Sequence, residues 1–201
     1  TTVPENSWIK NVTLPESVNL NKAFPIISWK PYTGGAATDE LNVFSAEITA
    51  SNRLTLTRGG TAGQYNSDVA YQVIAFDEDE KDVYVQHGSN NLTGTELVVN
   101  VTDVAAEKAM LFFTMDVHNS LNGVEGRYMV DGEVVNNTAL RFTRAYTSTY
   151  PVRIKWYLVE FMNMFTNSVQ RGRIADAAAA TDTASIATPL YNMTTMPILS
   201  A

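Results

Sequence analysis

The most conspicuous cluster of chemically active side chains is an acidic run in the first half of the chain, Asp77-Glu78-Asp79-Glu80-Lys81-Asp82. Several carboxylate oxygens close together are the ligands that a hard cation such as Ca²⁺ prefers. The run lacks the glycine and the spaced carboxylates of an EF-hand loop, however, and a hairpin loop in water accounts for the same composition. We therefore expect a solvated loop without a metal site, with Ca²⁺ binding as the alternative.

Histidine, serine and cysteine offer little further chemistry. The two histidines, His87 and His118, occupy non-equivalent positions in the two copies of a repeated segment, so a paired acid–base or metal site is not expected. The chain has no Gly-x-Ser-x-Gly motif, no Gly-x-Gly-x-x-Gly fingerprint and no phosphate-binding loop. The absence of Cys excludes disulfides, thiolate nucleophiles and Cys-ligated zinc. We expect no enzymatic activity, no cofactor and no metal.

Two other chemistries need only proximity in the folded chain. A carboxylate pair can hydrolyse a glycosidic bond, but Glu160 has Ala75 as its repeat counterpart and most other acids lie in predicted loops. Aromatic side chains can stack on a sugar ring, although aromatic residues in strands more often belong to the core. The aromatic residues considered for such a sugar platform are Trp29, Tyr32, Tyr65 and Trp156.

One stretch of sequence that must help to position these side chains occurs twice in the chain. Arg153–Gly172 begins as a predicted buried strand, passes through a loop and ends in a predicted short strand, and Val69–Gly88 follows the same plan. Phe76 matches Phe161 at an offset of 85 (161 − 76), and Val-Gln-x-Gly recurs at an offset of 84 (169 − 85). We expect each phrase to fold as a hairpin.

The match between the two parts of the chain extends upstream. Leu54–Arg58 corresponds to Leu140–Arg144 at an offset of 86 (140 − 54), and both alternate as half-buried strands do. Leucine and phenylalanine are expected on one face of these strands, with threonine and arginine on the other. The remaining matches are Lys22-Ala23 with Lys108-Ala109 and Asn11–Thr13 with Asn100–Thr102. Matches in the same order along the chain predict an internal duplication.

Turn and strand signals complete the predicted architecture. Pro25 near the start of the strand Phe24–Trp29 implies an edge position or a bulge, because proline cannot donate to a ladder. Asp131-Gly132 is typical of a hairpin turn. The fold class we predict is all-β, with two tandem homologous antiparallel β-sandwich domains. The predicted divisions are an N-terminal arm (1–10), repeat 1 (11–90), repeat 2 (91–173) and an Ala/Thr-rich C-terminal tail (174–201).

The amino-acid composition of the chain limits the classes of partner that we expect it to bind. The formal net charge of −7 argues against a general nucleic-acid binder, which normally carries a basic stripe. No apolar run approaches the roughly 18 residues that a bilayer-spanning helix needs, so we expect no membrane partner. A removed leader would leave no trace in the sequence. Only 17% of the residues are charged, which favours neutral polar surfaces of which some are buried in an assembly.

The paired phrases Thr-Arg, Val/Ile-x-Phe and Val-Gln-x-Gly resemble those of structural proteins of tailed bacteriophages, which are small β-sandwich proteins that decorate capsids or build tails and fibres. The resemblance spans both repeats, about 160 residues. It implies a virion component, extracellular in the particle and without enzymatic activity, that binds other virion subunits as a homo-oligomer or on a capsid. The chain lacks the collagen-like or coiled-coil segment of a trimeric fibre shaft.

Two functions are expected from this resemblance and from the lack of catalytic motifs. The first is a capsid decoration or minor capsid protein that binds neighbouring subunits. The alternative is a carbohydrate-binding adhesion module that contacts host surface glycans.

Apolar side chains in the arm, in one loop and in the tail are candidate assembly contacts. Exposed apolar clusters often mark contact surfaces; for the loop, folding back into the protein's own core is the alternative. The residues are Trp8 in the arm, Met162, Met164 and Phe165 in the loop, and Leu190, Met193, Met196, Ile198 and Leu199 in the tail.

Overall fold

The chain is an all-β protein, as predicted. The structure, a computed structural model, describes residues 2–3, 9–31, 43–59, 67–77, 81–117, 127–163 and 169–171. Two three-residue 3₁₀ turns, Leu20–Lys22 and Ala106–Lys108, precede the third and ninth strands. The described strands are β1 (Thr2–Val3), β2 (Ile9–Thr13), β3 (Ala23–Pro31), β4 (Phe44–Ala50), β5 (Arg53–Arg58), β6 (Ser67–Ala75), β7 (Val83–Leu92), β8 (Glu96–Asn100), β9 (Ala109–Val117), β10 (Asp131–Asn136), β11 (Ala139–Thr143) and β12 (Val152–Phe161).

These strands form four antiparallel sheets of three strands each. Sheet I has the order β1-β6-β3, sheet II β2-β5-β4, sheet III β7-β12-β9 and sheet IV β8-β11-β10. Raising every strand number of sheets I and II by six gives the orders of sheets III and IV. The first six strands and the last six are therefore connected and paired in the same order.

Two sandwich-like cores lie between these sheets. Alternation in β5 turns Leu54 and Leu56 inward, and β11 turns Leu140 and Phe142 inward in the same way. The core of sheets I and II contains Leu14, Ala23, Phe44, Ala46, Ile48, Leu54, Leu56 and Val69. The core of sheets III and IV contains Val99, Val117, Leu140, Phe142, Val152, Ile154, Trp156 and Leu158, among others.

Strand β12 is buried on both of its faces from Trp156 to Glu160. Ile154, Trp156 and Leu158 point into the core shared with sheet IV. Tyr157 and Val159 point the other way, into a third apolar cluster. A strand covered on both faces needs a near-continuous apolar sequence rather than an alternating one, and this confirms the buried strand predicted for residues 153–161.

The third apolar cluster joins the two pairs of sheets. Phe24 of β3 stacks on Phe112 of β9 with the ring centroids 4.5 Å apart. Phe76, just after β6, meets Phe161 at the end of β12 edge to face. The buried members of the cluster are Phe24, Val83, Val85, Tyr157 and Val159. We call this cluster, together with the neighbouring contacts of β4 with β9 and β12, the junction.

Both predicted hairpins are wrong. Strand β7 pairs with β12 along its whole length, from Val83 opposite Phe161 to Leu92 opposite Val152, whereas β6 lies between β1 and β3. Because β12 has β7 on one side and β9 on the other, Val169–Arg171 cannot pair with it between Val152 and Phe161. Strand β7 also runs across the predicted division at residues 90 and 91.

The described parts of the predicted N-terminal arm lie in sheets. Thr2 and Val3 pair with Asp68 and Ser67 of β6. Residues 9 and 10 open β2 and pair with β5. These four residues therefore pair with strands of their own chain, where they cover edges of β6 and β5.

One turn signal was interpreted correctly and one was not. Pro25 lies in β3, an edge strand of sheet I, as its missing N–H requires. The predicted Asp131-Gly132 turn is wrong, because Asp131 opens β10 opposite Thr143. The chain reverses between Asn136 and Ala139 instead, where the Thr138 N–H donates to the Asn136 side chain at 2.8 Å.

Candidate functional site

Most of the predicted assembly residues lie outside the described residues. Met162 is described: its side chain is 49% exposed, and its backbone oxygen accepts a hydrogen bond from Lys108 Nζ at 3.1 Å. Its role in assembly stays a prediction. The assembly residues outside the described ranges are Trp8, Met164, Phe165, Leu190, Met193, Met196, Ile198 and Leu199.

The acidic loop is described only at its ends. Asp77 and Asp82 lie in the described ranges, whereas residues 78–80 do not. Within the described ranges, no three histidine, aspartate or glutamate side chains are placed to hold a metal ion together. The histidine that is described, His87, stacks on Tyr157 with ring centroids 5.7 Å apart; His118 lies outside the described residues.

The polar part of the junction centres on a buried carboxylate. Asp116 of β9 is 0% exposed and accepts hydrogen bonds from Ser45 Oγ of β4 and, at 2.6 Å, from Arg153 Nε of β12. Desolvation raises the pKa of Asp116, although the hydrogen bonds and the charges of Arg153 and Lys155 act in the opposite direction. This carboxylate binds two strands of sheet III to sheet II.

Three more polar contacts run from β4 to sheet III. The Ile48 N–H donates to the Tyr157 hydroxyl at 2.9 Å, and the Ala46 N–H donates to Thr114 Oγ1 at 2.9 Å. Lys155 Nζ forms an ion pair with Glu47 at 2.5 Å. Strand β4 is an edge of sheet II, so side chains of sheet III satisfy backbone groups that an edge strand leaves open. The junction thus holds the two pairs of sheets together through hydrogen bonds as well as apolar contact.

A buried arginine organises the loops at one end of sheet IV. Arg144 is 5% exposed, and its five N–H donors suit a cluster of carbonyl acceptors. It donates to the backbone oxygens of Thr93, Gly94 and Arg127 at 2.6–2.7 Å and to those of Ser148 and Tyr150 at 3.4–3.5 Å. One side chain therefore holds three separate stretches of chain.

Sequence reasoning assigned this arginine to the wrong face. Arg58, its repeat counterpart, is also buried, and its guanidinium lies 5.9 Å from the centre of the Phe44 ring. Side chains two residues apart in a strand point to the same face, so Leu54, Leu56 and Arg58 all point inward. The same spacing relates Leu140, Phe142 and Arg144, and it could have placed both arginines on the buried face.

Two of the four aromatic residues that were considered for a sugar platform lie in the described ranges. Trp156 is 6% exposed, lies against Gly88 of β7 and donates from Nε1 to the Asn90 side chain at 2.8 Å. Trp29 is 39% exposed and packs near Phe44. Tyr32 and Tyr65 lie outside the described residues. Trp156 is therefore mainly a core residue, which is the interpretation that the sequence favoured.

A shallow, open depression of about 380 Å³ lies where β7 passes the first 3₁₀ turn. Much of its polar lining is already engaged, since the Gln86 amide both donates to and accepts from the backbone of Thr102 at 2.8–2.9 Å. The Tyr84 side chain at this site is 38% exposed. The lining includes Asn21, Tyr84, Gln86, His87, Asn100 and Trp156.

A second feature beside a 3₁₀ turn is the place where the chain leaves sheet III. After β12, Val169–Arg171 lies against the second 3₁₀ turn, with the Val169 N–H donating to the Glu107 oxygen at 3.0 Å. Arg171 Nη2 donates to the Ala106 oxygen. We call Val169–Arg171 the exit segment. It begins the second Val-Gln-x-Gly phrase.

Comparison with known proteins adds no relative: no family model, no curated protein and no solved structure matches the chain. The two described 3₁₀ turns are too short and too polar to span a membrane, and the described ranges contain no longer helix. The function is therefore inferred from the residues and their contacts.

Proposed function

We propose that this chain is a non-enzymatic structural protein of a virion, in particular a capsid decoration or minor capsid protein that binds further copies of itself. The observation that carries the proposal is that one strand order occurs in both pairs of sheets. The exit segment after the second pair also begins the same Val-Gln-x-Gly phrase that lies in β7, the strand that connects the two pairs. A protein built from repeated sandwich units with linking strands suits a role in assembly.

The first part of the proposal is that the two pairs of sheets are tandem copies of one unit. The ladder registers support it, since Ala23 lies opposite Ala75 in sheet I and Ala109 lies opposite Glu160 in sheet III. These are the positions that the sequence offsets of 86 and 85 make equivalent. Because β7 pairs with β12, we place the division between β6 and β7 rather than at residue 90.

The second part is that the described polar groups serve the fold rather than a reaction. Ser45 and Asp116 bind each other, Arg144 binds backbone oxygens, and Glu160 accepts from the Ala105 N–H at 2.7 Å. Buried polar groups satisfied in this way give one well-defined arrangement of the core. Two pairs of sheets that are held rigidly by such contacts suit a structural subunit.

The third part is that the tail supplies apolar contact area. Side chains such as Leu190, Ile198 and Leu199 gain roughly 1.5–3 kcal/mol each when fully buried, which favours their burial in a partner. The proposed partners are other virion subunits, and the proposed location is the particle.

Light scattering coupled to size exclusion tests this function. We expect the full chain to run as an oligomer, and a variant with Leu190, Ile198 and Leu199 changed to serine to run as a folded monomer. The matched control changes Thr194 and Thr195 of the same tail to alanine and should keep the oligomer. A full chain that stays monomeric at all concentrations would refute the proposal.

The depression beside β7 favours a second candidate, carbohydrate binding by an adhesion module. The Tyr84 ring is exposed there, and the Asn21 and Asn100 side chains line the same depression, a combination that suits a sugar's apolar face and hydroxyl groups. A glycan array would show specific binding that Tyr84→Ala abolishes. Absence of binding to any host-type glycan would exclude this candidate.

A further inference from the structure

Strand β7 is an edge strand of sheet III whose sequence lacks the usual protection against pairing with another chain. It runs for ten residues, contains no Asp, Glu, Lys, Arg or Pro, and pairs with β12 without a register shift. Proteins commonly protect an edge with a charge, a proline, a bulge or a covering element, because unpaired backbone groups invite a further strand. A long, uncharged and regular edge is therefore a candidate contact surface.

The other described edge strands differ from β7 in this respect. Strand β1 has two residues, and β4 and β9 lie against each other at the junction. The remaining described edge strands contain proline or charged residues, namely Lys10 in β2, Pro25, Lys30 and Pro31 in β3, Glu96 in β8, and Asp131 and Glu133 in β10.

The ladder with β12 shows which backbone groups of β7 point to the open edge. The Met162 N–H donates to the Asp82 oxygen at 2.6 Å, one pair beyond Val83 and Phe161. Because hydrogen-bonded and non-hydrogen-bonded pairs alternate in an antiparallel ladder, the even-numbered residues of β7 bond to β12 and the odd-numbered ones point away. Lys22 Nζ accordingly reaches the Val83 oxygen from the open side at 2.5 Å. The other outward N–H and C=O groups, which make no hydrogen bond within the described ranges, belong to Val85, His87, Ser89 and Asn91.

We propose that β7 pairs antiparallel with β7 of a second copy across a two-fold axis at Gly88, so that sheet III of one copy continues into sheet III of the other. This inference rests on the proposed self-assembly and names a surface through which two copies meet. A two-fold contact uses the same surface on both copies. An uncharged strand can meet itself without placing like charges opposite each other, which matters in a chain with a net charge of −7.

One register of this pairing uses every open residue of both copies. Val83 takes no part in it, because Lys22 already binds its oxygen. The two Gly88 residues face each other as a non-hydrogen-bonded pair, in which the strands approach most closely and in which glycine adds no side chain. The hydrogen-bonded pairs between the copies are Val85 with Asn91 and His87 with Ser89, each in both directions.

The depression beside the first 3₁₀ turn lies along the same edge. Its lining includes Asn21 of that turn, Asn100 at the end of β8 and residues 84–87 of β7. In the proposed register, Ser89–Asn91 of the second copy lies beside Val85–His87 and therefore enters the depression. Three short polar side chains suit walls that carry carboxamide groups, which both donate and accept hydrogen bonds.

Strand pairing by itself gives a weak contact, because each hydrogen bond that forms replaces hydrogen bonds to water. The pairing of β7 therefore sets the orientation of two copies, whereas the apolar side chains of the tail supply the affinity. The tail variant described above should accordingly run as a monomer although its β7 is intact.

Disulfide trapping tests the pairing, because the chain contains no cysteine of its own. One variant carries His87→Cys and the other Ser89→Cys. The Cα atoms of a hydrogen-bonded pair are about 5.5 Å apart, within the range for a disulfide. After mixing and mild oxidation, we expect a product of twice the 22.1 kDa chain mass that forms far more with both variants than with either alone and disappears on reduction.

The matched control replaces His87→Cys by Asn91→Cys. Asn91 is exposed and lies on the same strand and the same face as His87. In the proposed register it is four residues away from the position opposite Ser89, so it should give no cross-linked product with Ser89→Cys.

A charge on the edge of β7 provides a second test. Ser89→Lys should lower the mass of the oligomer in light scattering, because a lysine on an edge strand opposes pairing with a further strand. Ser28→Lys, which changes an exposed serine on the edge strand β3, should leave the mass unchanged. Circular dichroism confirms that all variants fold.

The remaining outcomes overturn the inference in distinguishable ways. If the chain oligomerises but the His87 and Ser89 variants do not cross-link, the edge pairing is refuted and the proposed function stands. A product from Ser89→Cys and Asn91→Cys would refute the two-fold axis at Gly88. A chain that remains monomeric at all concentrations refutes the proposed function and this inference together.

Discussion

The Tyr157 hydroxyl on β12 accepts a hydrogen bond from the Ile48 N–H on β4 at 2.9 Å. This bond links an edge strand of sheet II to the central strand of sheet III. Burial, with a smaller contribution from the charge of Glu47, raises the pKa of Tyr157 above its usual range. The hydroxyl is therefore protonated at all working pH values, and the bond fixes how the two pairs of sheets meet.

Tyr157→Phe is expected to destabilise the fold by about 1–3 kcal/mol, because it leaves the buried Ile48 N–H without its acceptor. Chemical denaturation followed by tryptophan fluorescence measures the change. Tyr84→Phe, at a 38% exposed ring, is the matched control and should be nearly neutral. Equal effects for the two variants would mean that the bond contributes nothing specific.

Arg144→Lys is expected to cost about 2–4 kcal/mol, because one ammonium group cannot satisfy the backbone oxygens that the guanidinium fork reaches. The control is Arg141→Lys on the outer face of sheet IV, where the side chain pairs with Glu133 and Glu96 in solvent. Exposed pairs contribute up to about 1 kcal/mol. An equal decrease in melting temperature for both variants would contradict the role given to Arg144.

The stability of the junction should depend on pH through Asp116. Its raised pKa means that the folded chain holds this proton more tightly than the unfolded chain does. The contribution of Asp116 to stability is therefore greatest below the unfolded pKa, about 4, and falls as the pH rises through the folded value.

Asp116→Asn removes that titration and isolates its effect. The free energy of unfolding of the variant, relative to the unmodified chain, should improve between about pH 4 and neutral pH. Urea titrations at several pH values measure the difference. A difference that is constant with pH, or that changes in the opposite sense, would show that Arg153 and Ser45 outweigh desolvation.

Gly88→Ala is expected to destabilise sheet III by about 1–3 kcal/mol. An added Cβ would lie 2.5 Å from Cζ2 of Trp156, and the indole is held by core contacts and by its bond to Asn90. Gly94→Ala is the control, since its Cβ would meet nothing closer than 3.9 Å. If the Gly88 variant melts no lower than the control, the ring can move aside without cost.

The sequence predicted those elements whose pattern is local. The closely spaced apolar residues of Trp156–Phe161 indicated a buried strand, the alternation at Leu54 and Leu56 indicated a half-buried one, and Pro25 indicated an edge position or a bulge. Each follows from a period or from a missing donor within a few residues.

Pairing between distant segments could not be predicted in this way. Val83–Gly88 comes after β6 and a short loop and therefore suggested a hairpin, but β7 pairs with β12, about seventy residues further along the chain. Gly88 leaves room for the Trp156 ring on the facing strand, which favours this pairing. No local sequence pattern predicts such a contact. The carbonyl groups around Arg144 likewise come from separate loops that only the folded chain brings together.

Electron cryo-microscopy of the purified full chain tests the central claim, that this protein is an assembly subunit, most directly. We predict a regular oligomer in which neighbouring copies repeat one contact. Dispersed single chains at all concentrations would contradict the claim.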